Sequence, residues 1–391
     1  MPNGVRSAAL RGALLDIVHG TLRQYGRGAA IVNALSARRA GQPLEALLWC
    51  ALFALDSGRY AAYTVVDQAV RACVLIAGNG SSRYVNAVLR TYLRRKTEID
   101  SQLESNPEAR WQHPGWWIDM VCNAYPRVWR EILEAGNSRP PMCLRVNLRR
   151  STLAQYKLRL AERGMASRQL GPAALLLEAP VPVERLPGFD AGDVSIQDAG
   201  AQLAAGLLQL KDGQRVLDAC AAPGGKAGHI AECAEVSLTA LDVDPGRCSR
   251  IAQNMARLGL GASVVTGDAG MPQNWWDGKP YERLLVDAAC SSSGIARRRP
   301  DIKWLRRPRD IVVYAEKQVG LLGALWQVLA PNGKLLYATC SVFPAENEGV
   351  IENFLARTQT ARRLEPHDDA GQLLPTAEHD GFFYALLEKR A

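Results

Sequence analysis

The chain has 391 residues, 48% of them apolar and 22% charged, with a net charge of +8. No apolar run approaches the roughly 18–20 residues that span a bilayer. Nine cysteines, an odd number without CxxC pairs, argue against zinc ribbons and disulfide scaffolds and for a reducing, cytoplasmic setting.

The charge is unevenly spread. Residues 1–96 carry 13 Lys/Arg against 4 Asp/Glu, a balance of +9, so the remainder sums to −1. That distribution suits an electrostatic handle for nucleic acid. A solvated basic surface is the plainer alternative. Over the same stretch Leu10, Leu14, Ile17, Val18 and Leu22 recur at helical spacing, and the apolar run 44–55 predicts a buried helix. Val85, Val88, Leu89, Tyr92 and Leu93 make another stripe, with Ser81 and Ser82 as a cap and Arg94, Arg95 and Lys96 as its last turn.

Trp111, Trp116, Trp117 and Trp129 follow in further helical sequence. Packing at a domain junction explains such a cluster more simply than a base-stacking platform, because most large aromatics are core. These segments predict an all-α domain over residues 1–135. Residues 136–200 read as a small α+β module, with strands at 144–148 and 175–179 around a helix at 152–163.

Beyond residue 200 apolar runs alternate with helical stretches, at 215–220, 238–243, 263–266, 283–288, 334–339 and 382–387. This rhythm predicts a Rossmann-like α/β domain over 201–391, its sheet mostly parallel. Ligands of such sheets bind beyond the carboxyl ends of the strands. Asp218, Asp242, Asp268, Asp287 and Cys340 lie at or near those ends.

The turn Cys220-Ala221-Ala222-Pro223-Gly224-Gly225-Lys226 lets backbone approach a ligand. It fits neither the dinucleotide nor the P-loop fingerprint. Asp242 is placed to accept from a ribose diol, with Asp244 as a neighbour able to share that task, and Asp268 to accept from an adenine amino group. An adenosine pocket without a pyrophosphate site points to S-adenosylmethionine as cofactor. Cys290 and Cys340 each end a strand and precede a serine, which suggests covalent chemistry on an electrophilic ring. The other cysteines read as buried and inert, His113 and His229 as structural. No side-chain cluster has metal-ligand spacing. Lys226, Lys303 and Arg297 to Arg299 are candidate cations beside Cys340, and the arginine run equally suits RNA phosphates.

Asp218-Ala-Cys-Ala-Ala-Pro-Gly-Gly-Lys226, Leu241-Asp-Val-Asp244, Gly267-Asp268, Val286-Asp-Ala-Ala-Cys-Ser291 and Tyr337-Ala-Thr-Cys-Ser341 resemble the ordered motifs of RNA cytosine-5 methyltransferases. With Ser195-Ile-Gln-Asp-Ala-Gly-Ala-Gln202, Arg299-Pro-Asp-Ile-Lys-Trp304, Phe343-Pro-Ala-Glu-Asn-Glu348 and Asp380-Gly-Phe-Phe-Tyr-Ala385, the chain is similar to the bacterial RsmB (Sun/Fmu) family, which methylates small-subunit (16S) rRNA. Val66-Asp-Gln-Ala-Val70 and Tyr84-Val-Asn-Ala-Val-Leu-Arg90 resemble that family's NusB-like RNA-binding domain. The resemblance implies that Cys340 is the nucleophile toward C6 of cytosine, that Cys290 assists product release, and that Asp287 holds the N3/N4 edge of the base. It also implies that residues 220–226, Asp242, Asp268 and Asp287 bind the cofactor. Where the family has Asp-Ala-Pro-Cys, this chain has Asp287-Ala-Ala-Cys290. Alanine leaves that backbone freer than proline, so a looser loop is expected. A tRNA substrate, or a non-catalytic assembly factor with a relic methyltransferase domain, are the competing readings.

Overall fold

The structure, a computed structural model, describes residues 8–36, 40–364 and 371–391. It contains two compact units, one of residues 1–138 with 299–305, the other of residues 139–298 with 306–391.

The first unit is helical: α1 (Ala8–Arg23), α2 (Tyr25–Leu35), α3 (Gln42–Asp56), α4 (Ala62–Ala77), α5 (Ser82–Leu103), α6 (Pro107–Trp111), α7 (Gly115–Ala124) and α8 (Trp129–Asn137). Ile31, Leu48, Leu52, Cys73, Val85, Leu89, Tyr92 and Ile99 form its core. The predicted end of α5 is a kink instead. Arg95 has φ −108° and ψ 17°, and the helix then continues to Leu103. Continuation is favoured because Ile99 and Leu103 bury. Lys96 turns inward to Asp56 and the Tyr92 hydroxyl.

Asp56 also accepts from Arg27 Nε at 3.0 Å and from Tyr92 at 2.6 Å. Part of the N-terminal basic excess is therefore spent inside the fold. The tryptophans pack: Trp117 is buried, and Trp111 and Trp129 meet edge-to-face at 4.8 Å. Residues 299–305 belong to this unit. Lys303 Nζ donates to Asn137 Oδ1 at 2.6 Å and to the Arg23 carbonyl at 3.3 Å, and Trp304 packs on Tyr25 at 4.8 Å.

The second unit holds two sheets. The smaller uses β1 (Met142–Val146), β2 (Ser167–Gln169), β3 (Ala174–Leu177) and β4 (Val194–Ile196) in the order β2-β3-β1-β4, all antiparallel, with α9 (Leu153–Ala161) on it. β2 and β4, three residues each, are too short to show a period in sequence. Arg145 on β1 is fully buried and explains why this module packs as one body with the larger sheet: it grips Glu232 through two bonds of 2.8 Å and the Gly225 carbonyl at 2.8 Å.

The larger sheet follows α10 (Ala199–Leu207). Its elements are β5 (Arg215–Ala219), α11 (Gly225–Cys233), β6 (Ser237–Asp242), α12 (Pro245–Leu258), β7 (Ser263–Thr266), β8 (Tyr281–Asp287), α13 (Ile302–Leu305, within the first unit), α14 (Pro308–Val328), β9 (Leu329–Thr339), α15 (Glu348–Arg357), β10 (Ala361–Arg363), β11 (Gly371–Leu373) and β12 (Phe382–Lys389). Strand order is β10-β12-β9-β8-β5-β6-β7, with β11 on β12. β5 to β9 pair in parallel and β12 is antiparallel to β9. This is the Rossmann-like sheet that the sequence rhythm predicts. Strand order reverses between β5 and β8, so the crevice falls at their carboxyl ends.

Candidate active site

One cleft of about 900 Å³ opens at that switch point, a size suited to a ligand of nucleoside dimensions. Its lining includes Cys220, Ala222, Asp242, Asp268, Asp287, Cys290 and Cys340, so the expected site residues from five strand ends converge. Ala221, Pro223, Gly224, Gly225 and Lys226 shape the turn rather than line the cleft. Cys220 adopts a left-handed φ of 64° and Gly224 one of 95°. The turn is fastened to the next strand by Ala221 N–H to the Leu241 carbonyl at 2.8 Å and Ala222 N–H to Asp242 Oδ2 at 3.2 Å. A side chain at Gly224 would stand 3.2 Å from the α12 backbone at Ile251.

The aspartates differ in their surroundings. Asp242 is nearly buried and also takes Arg247 at 3.4 Å. Asp268 is exposed, one oxygen accepting from Gly270 N–H at 2.8 Å. Asp244 caps α12, its carboxylate accepting from Arg247 N–H at 2.9 Å, and it is not among the residues that line the cleft. Asp218 is also withdrawn, fully buried below the turn, with neither carboxylate oxygen hydrogen-bonded. Burial first, then the charges of Asp287 and Asp242 against that of Lys226, push its pKa up to about 8.

Asp287 binds Lys226 Nζ at 2.6 Å. Burial alone would lower the lysine pKa, but the Asp287 charge and hydrogen bond prevail and raise it. Lys226 is the one expected cation that acts on Cys340. Arg297 and Arg298 are consumed internally. Buried Arg297 meets buried Asp380 at 2.5 Å, and Arg298 meets Asp380 and, at 2.8 Å, Asp198. Arg299 pairs with Asp301 at 3.6 Å, and Lys303 is buried in the helical unit. The sequence offers Arg297 and Arg298 to Cys340 or to phosphates, and only partners about 80–100 residues away reveal otherwise.

The thiols of Cys290 and Cys340 lie 3.5 Å apart. The hydrogen bond from Cys290 lowers the Cys340 pKa; burial and Asp287 oppose it, while Ser292 and Lys226 assist. Cys290 is pushed well up by that same bond, then by burial and by the charges of Cys340 and Glu346. The two thiols are thus driven in opposite directions, Cys340 down and Cys290 up. Burial drives the Cys220 pKa up to about 12.

The Cys290 loop is tied on both sides of the Ala289 amide. Ala288 N–H donates to the Ala338 carbonyl at 2.9 Å and Gln318 Nε2 to the Ala289 carbonyl at 2.9 Å. The sequence does not single out Gln318, nor Arg306, Tyr314 and Lys317, which line the cleft. Their signal is weak: Arg306 precedes α14 and Tyr314, Lys317 and Gln318 lie in its first turns, outside any of the motifs around the two cysteines. All nine cysteines are free. Among the described residues no helix is long and apolar enough to cross a membrane, and no His/Cys/Asp/Glu group could hold a metal.

Three family models match: NusB over residues 3–94, the RsmF/B ferredoxin-like domain over 113–184, and the 16S rRNA methyltransferase RsmB/F over 205–388. Ribosomal RNA small subunit methyltransferase B of Vibrio cholerae is 43% identical over 96% of this chain and 89% of its own length. The Salmonella arizonae protein of that name is 40% identical, over 96% and 90%. A solved methyltransferase homologue from Pyrococcus horikoshii shares 27% identity at TM-score 0.64, over 72% of this chain and 97% of its own. The fold alone is shared with PH0851, at TM-score 0.84 and 24% identity, over 99% of this chain and 92% of that one. The chain belongs to the RsmB family of S-adenosylmethionine-dependent small-subunit rRNA methyltransferases.

Proposed function

We propose that this protein transfers a methyl group to C5 of a cytosine in small-subunit ribosomal RNA, with Cys340 as nucleophile. The observation that carries the reading is the pair of thiols 3.5 Å apart, in the cleft that Asp242, Asp268 and Asp287 also line. The Asp242 and Asp268 carboxylates and the tight turn at 220–225 suit a nucleoside with a free diol and an amino group. S-adenosylmethionine, when bound there, supplies an electrophilic methyl group.

C5 of cytosine is a poor nucleophile until addition at C6 makes it enamine-like. The Cys340 thiolate forms that bond to C6, and Asp287 holds the N3/N4 edge where charge develops. After methylation Cys290, once it has passed its own thiol proton to water, takes up the C5 proton, directly or through a further water, and the electrons of that C–H bond re-form the ring double bond as the sulfur–C6 bond breaks. Cys340 leaves as the thiolate. Arg306, Tyr314 and Lys317 offer a cationic and aromatic rim for a base swung out of its stack and for its phosphates. The NusB-like region supports an RNA substrate, and nine free cysteines suit a cytoplasmic enzyme.

Labelled methyl transfer to 16S rRNA and to small subunits tests the reading. The wild type should place label on cytosine C5. Cys340→Ala should lose about 10⁴-fold or more, and Cys290→Ala should leave an RNA adduct that survives denaturation. Transfer that persists in Cys340→Ala would refute the assignment. Bound cofactor without transfer to either substrate would shift the reading to another RNA.

A further inference from the structure

Glu346, in the turn after β9, is fully buried, yet its carboxylate serves both cysteine loops. Oε1 accepts from Ser291 N–H at 2.6 Å. Oε2 accepts from the Ser291 hydroxyl at 2.5 Å and from the Ser341 hydroxyl at 2.6 Å. Ser291 follows Cys290 and Ser341 follows Cys340. Ser293 closes the cluster, its hydroxyl 3.1 Å from Ser291 and 3.0 Å from Ser341. The Glu346 backbone is itself fixed, its carbonyl accepting from the Tyr337 hydroxyl at 2.7 Å.

Burying a carboxylate costs several kcal/mol unless its lone pairs are met. An apolar side chain would fill the same space without that cost. A backbone N–H can only donate, so Oε1 must accept, and two hydroxyls from different loops converge on Oε2. Packing does not require such an arrangement; holding two loops in register does.

We propose that Glu346 is a positioning residue that clamps the Cys290 and Cys340 loops together and holds the two thiols in hydrogen-bonding contact. The proposal rests on the reading that these thiols are the reacting groups. A second effect follows from where the charges stand. Glu346 raises the pKa of Cys290, and Lys226, itself paired with Asp287, lowers that of Cys340. Both charges act in the same direction as the thiol–thiol hydrogen bond, which is the main cause of each shift. Other ionisable groups around the pair are Arg306, which donates to the Ser291 carbonyl at 3.2 Å, Tyr314 and Lys317 in the cleft lining, and the buried Tyr337 and Tyr384 phenols.

The test uses the full chain with Glu346→Gln and Glu346→Ala. Three readouts are single-turnover methyl transfer, alkylation of Cys340 against pH, and cross-linking of the thiols by diamide, which takes up the two thiol hydrogens as the disulfide forms. Cross-linking needs neither RNA nor cofactor, so it is informative even if the assigned chemistry fails, and the alkylation profile separates the thiolate fraction from the placement of the sulfurs. Glu346→Ala should lose about 10²-fold in turnover, as for an ångström-scale misplacement, while cofactor KM changes by no more than about twofold. Its cross-linking should slow and its alkylation profile should move to higher pH. Glu346→Gln keeps the volume and one acceptor, so it should fold and recover part of each. Cross-linking and an alkylation profile equal to wild type in Glu346→Gln would overturn the proposal. So would lost turnover that tracks only cofactor affinity and thermal midpoint.

Discussion

The two walls of the cleft are built by different means. The wall we assign to the cofactor, at the ends of β5, β6 and β7, is largely local: Asp268 closes a turn on Gly270, and Asp242 ties down its own neighbour Asp244 before reaching the Ala222 amide. The thiol wall, at the ends of β8 and β9, is held from afar. Glu346 reaches Ser291 across 55 residues, Cys290 meets Cys340 across 50, and Gln318 reaches Ala289 across 29. Recognition of a flexible cofactor tolerates adjustable turns. Proton exchange between two thiols needs sulfurs fixed to a fraction of an ångström, and long-range buried bonds supply that rigidity.

Four substitutions sharpen this contrast. The largest effect on stability is expected from Asp380→Ala, which leaves buried Arg297 without its carboxylate. Breaking such a pair costs about 3–5 kcal/mol, read as a lower denaturant midpoint. If midpoint and slope stay unchanged, the pair contributes nothing. Next, Cys290→Ala should lower turnover about 10²-fold and remove the main cause of the depressed Cys340 pKa. The sign is definite: the reactive form is the thiolate, so wild-type Cys340 should gain reactivity below the usual thiol range of about 8.5. The variant should gain it only at higher pH, which iodoacetamide kinetics will show. Identical profiles would mean that the thiols act independently.

On the opposite wall Asp268→Ala should raise cofactor KM about tenfold, the worth of one hydrogen bond to a charged group, and leave the Cys340 profile untouched. A shift in that profile would erase the distinction between the walls. The smallest change is expected from Ala289→Pro. None of the bonds that hold this loop uses the Ala289 amide, so turnover should stay within about threefold of wild type. Stability should rise by about 0.4–1 kcal/mol through the unfolded chain. A large loss of turnover would show that the loop needs alanine's freedom.

The same division explains what could be seen in sequence. The six main strands, the glycine turn and the strand-end residues Asp242, Asp268, Asp287, Cys290 and Cys340 follow from apolar runs and from resemblance, because each is encoded within a few residues. The fates of Arg297, Arg298 and Lys303 do not, since a charge run reads as solvated until its distant carboxylates are known. Asp244 is ambiguous for a local reason: an aspartate before Pro245 serves a helix cap as readily as a ribose. The end of α5 misleads because three basic residues imitate a terminus, while Ile99 and Leu103 carry the helix past it. Glu346 stood inside a recognised motif, but its role depends on two serines that no local pattern links to it.

The return of residues 299–305 to the helical unit bears on how the protein is made. Lys303 and Trp304, which complete the packing around Arg23, Tyr25 and Asn137, are synthesised more than 160 residues after the last of the eight helices they join. At about 5–20 residues per second that is a wait of several seconds or more. The nascent helices must persist incomplete through that interval, and burial pulls the Lys303 pKa down to about 7 only once the segment arrives. A fragment ending at residue 138 would stay in that unfinished state, and excising residues 1–135 would strip 299–305 of its seat, so neither cut isolates an intact unit.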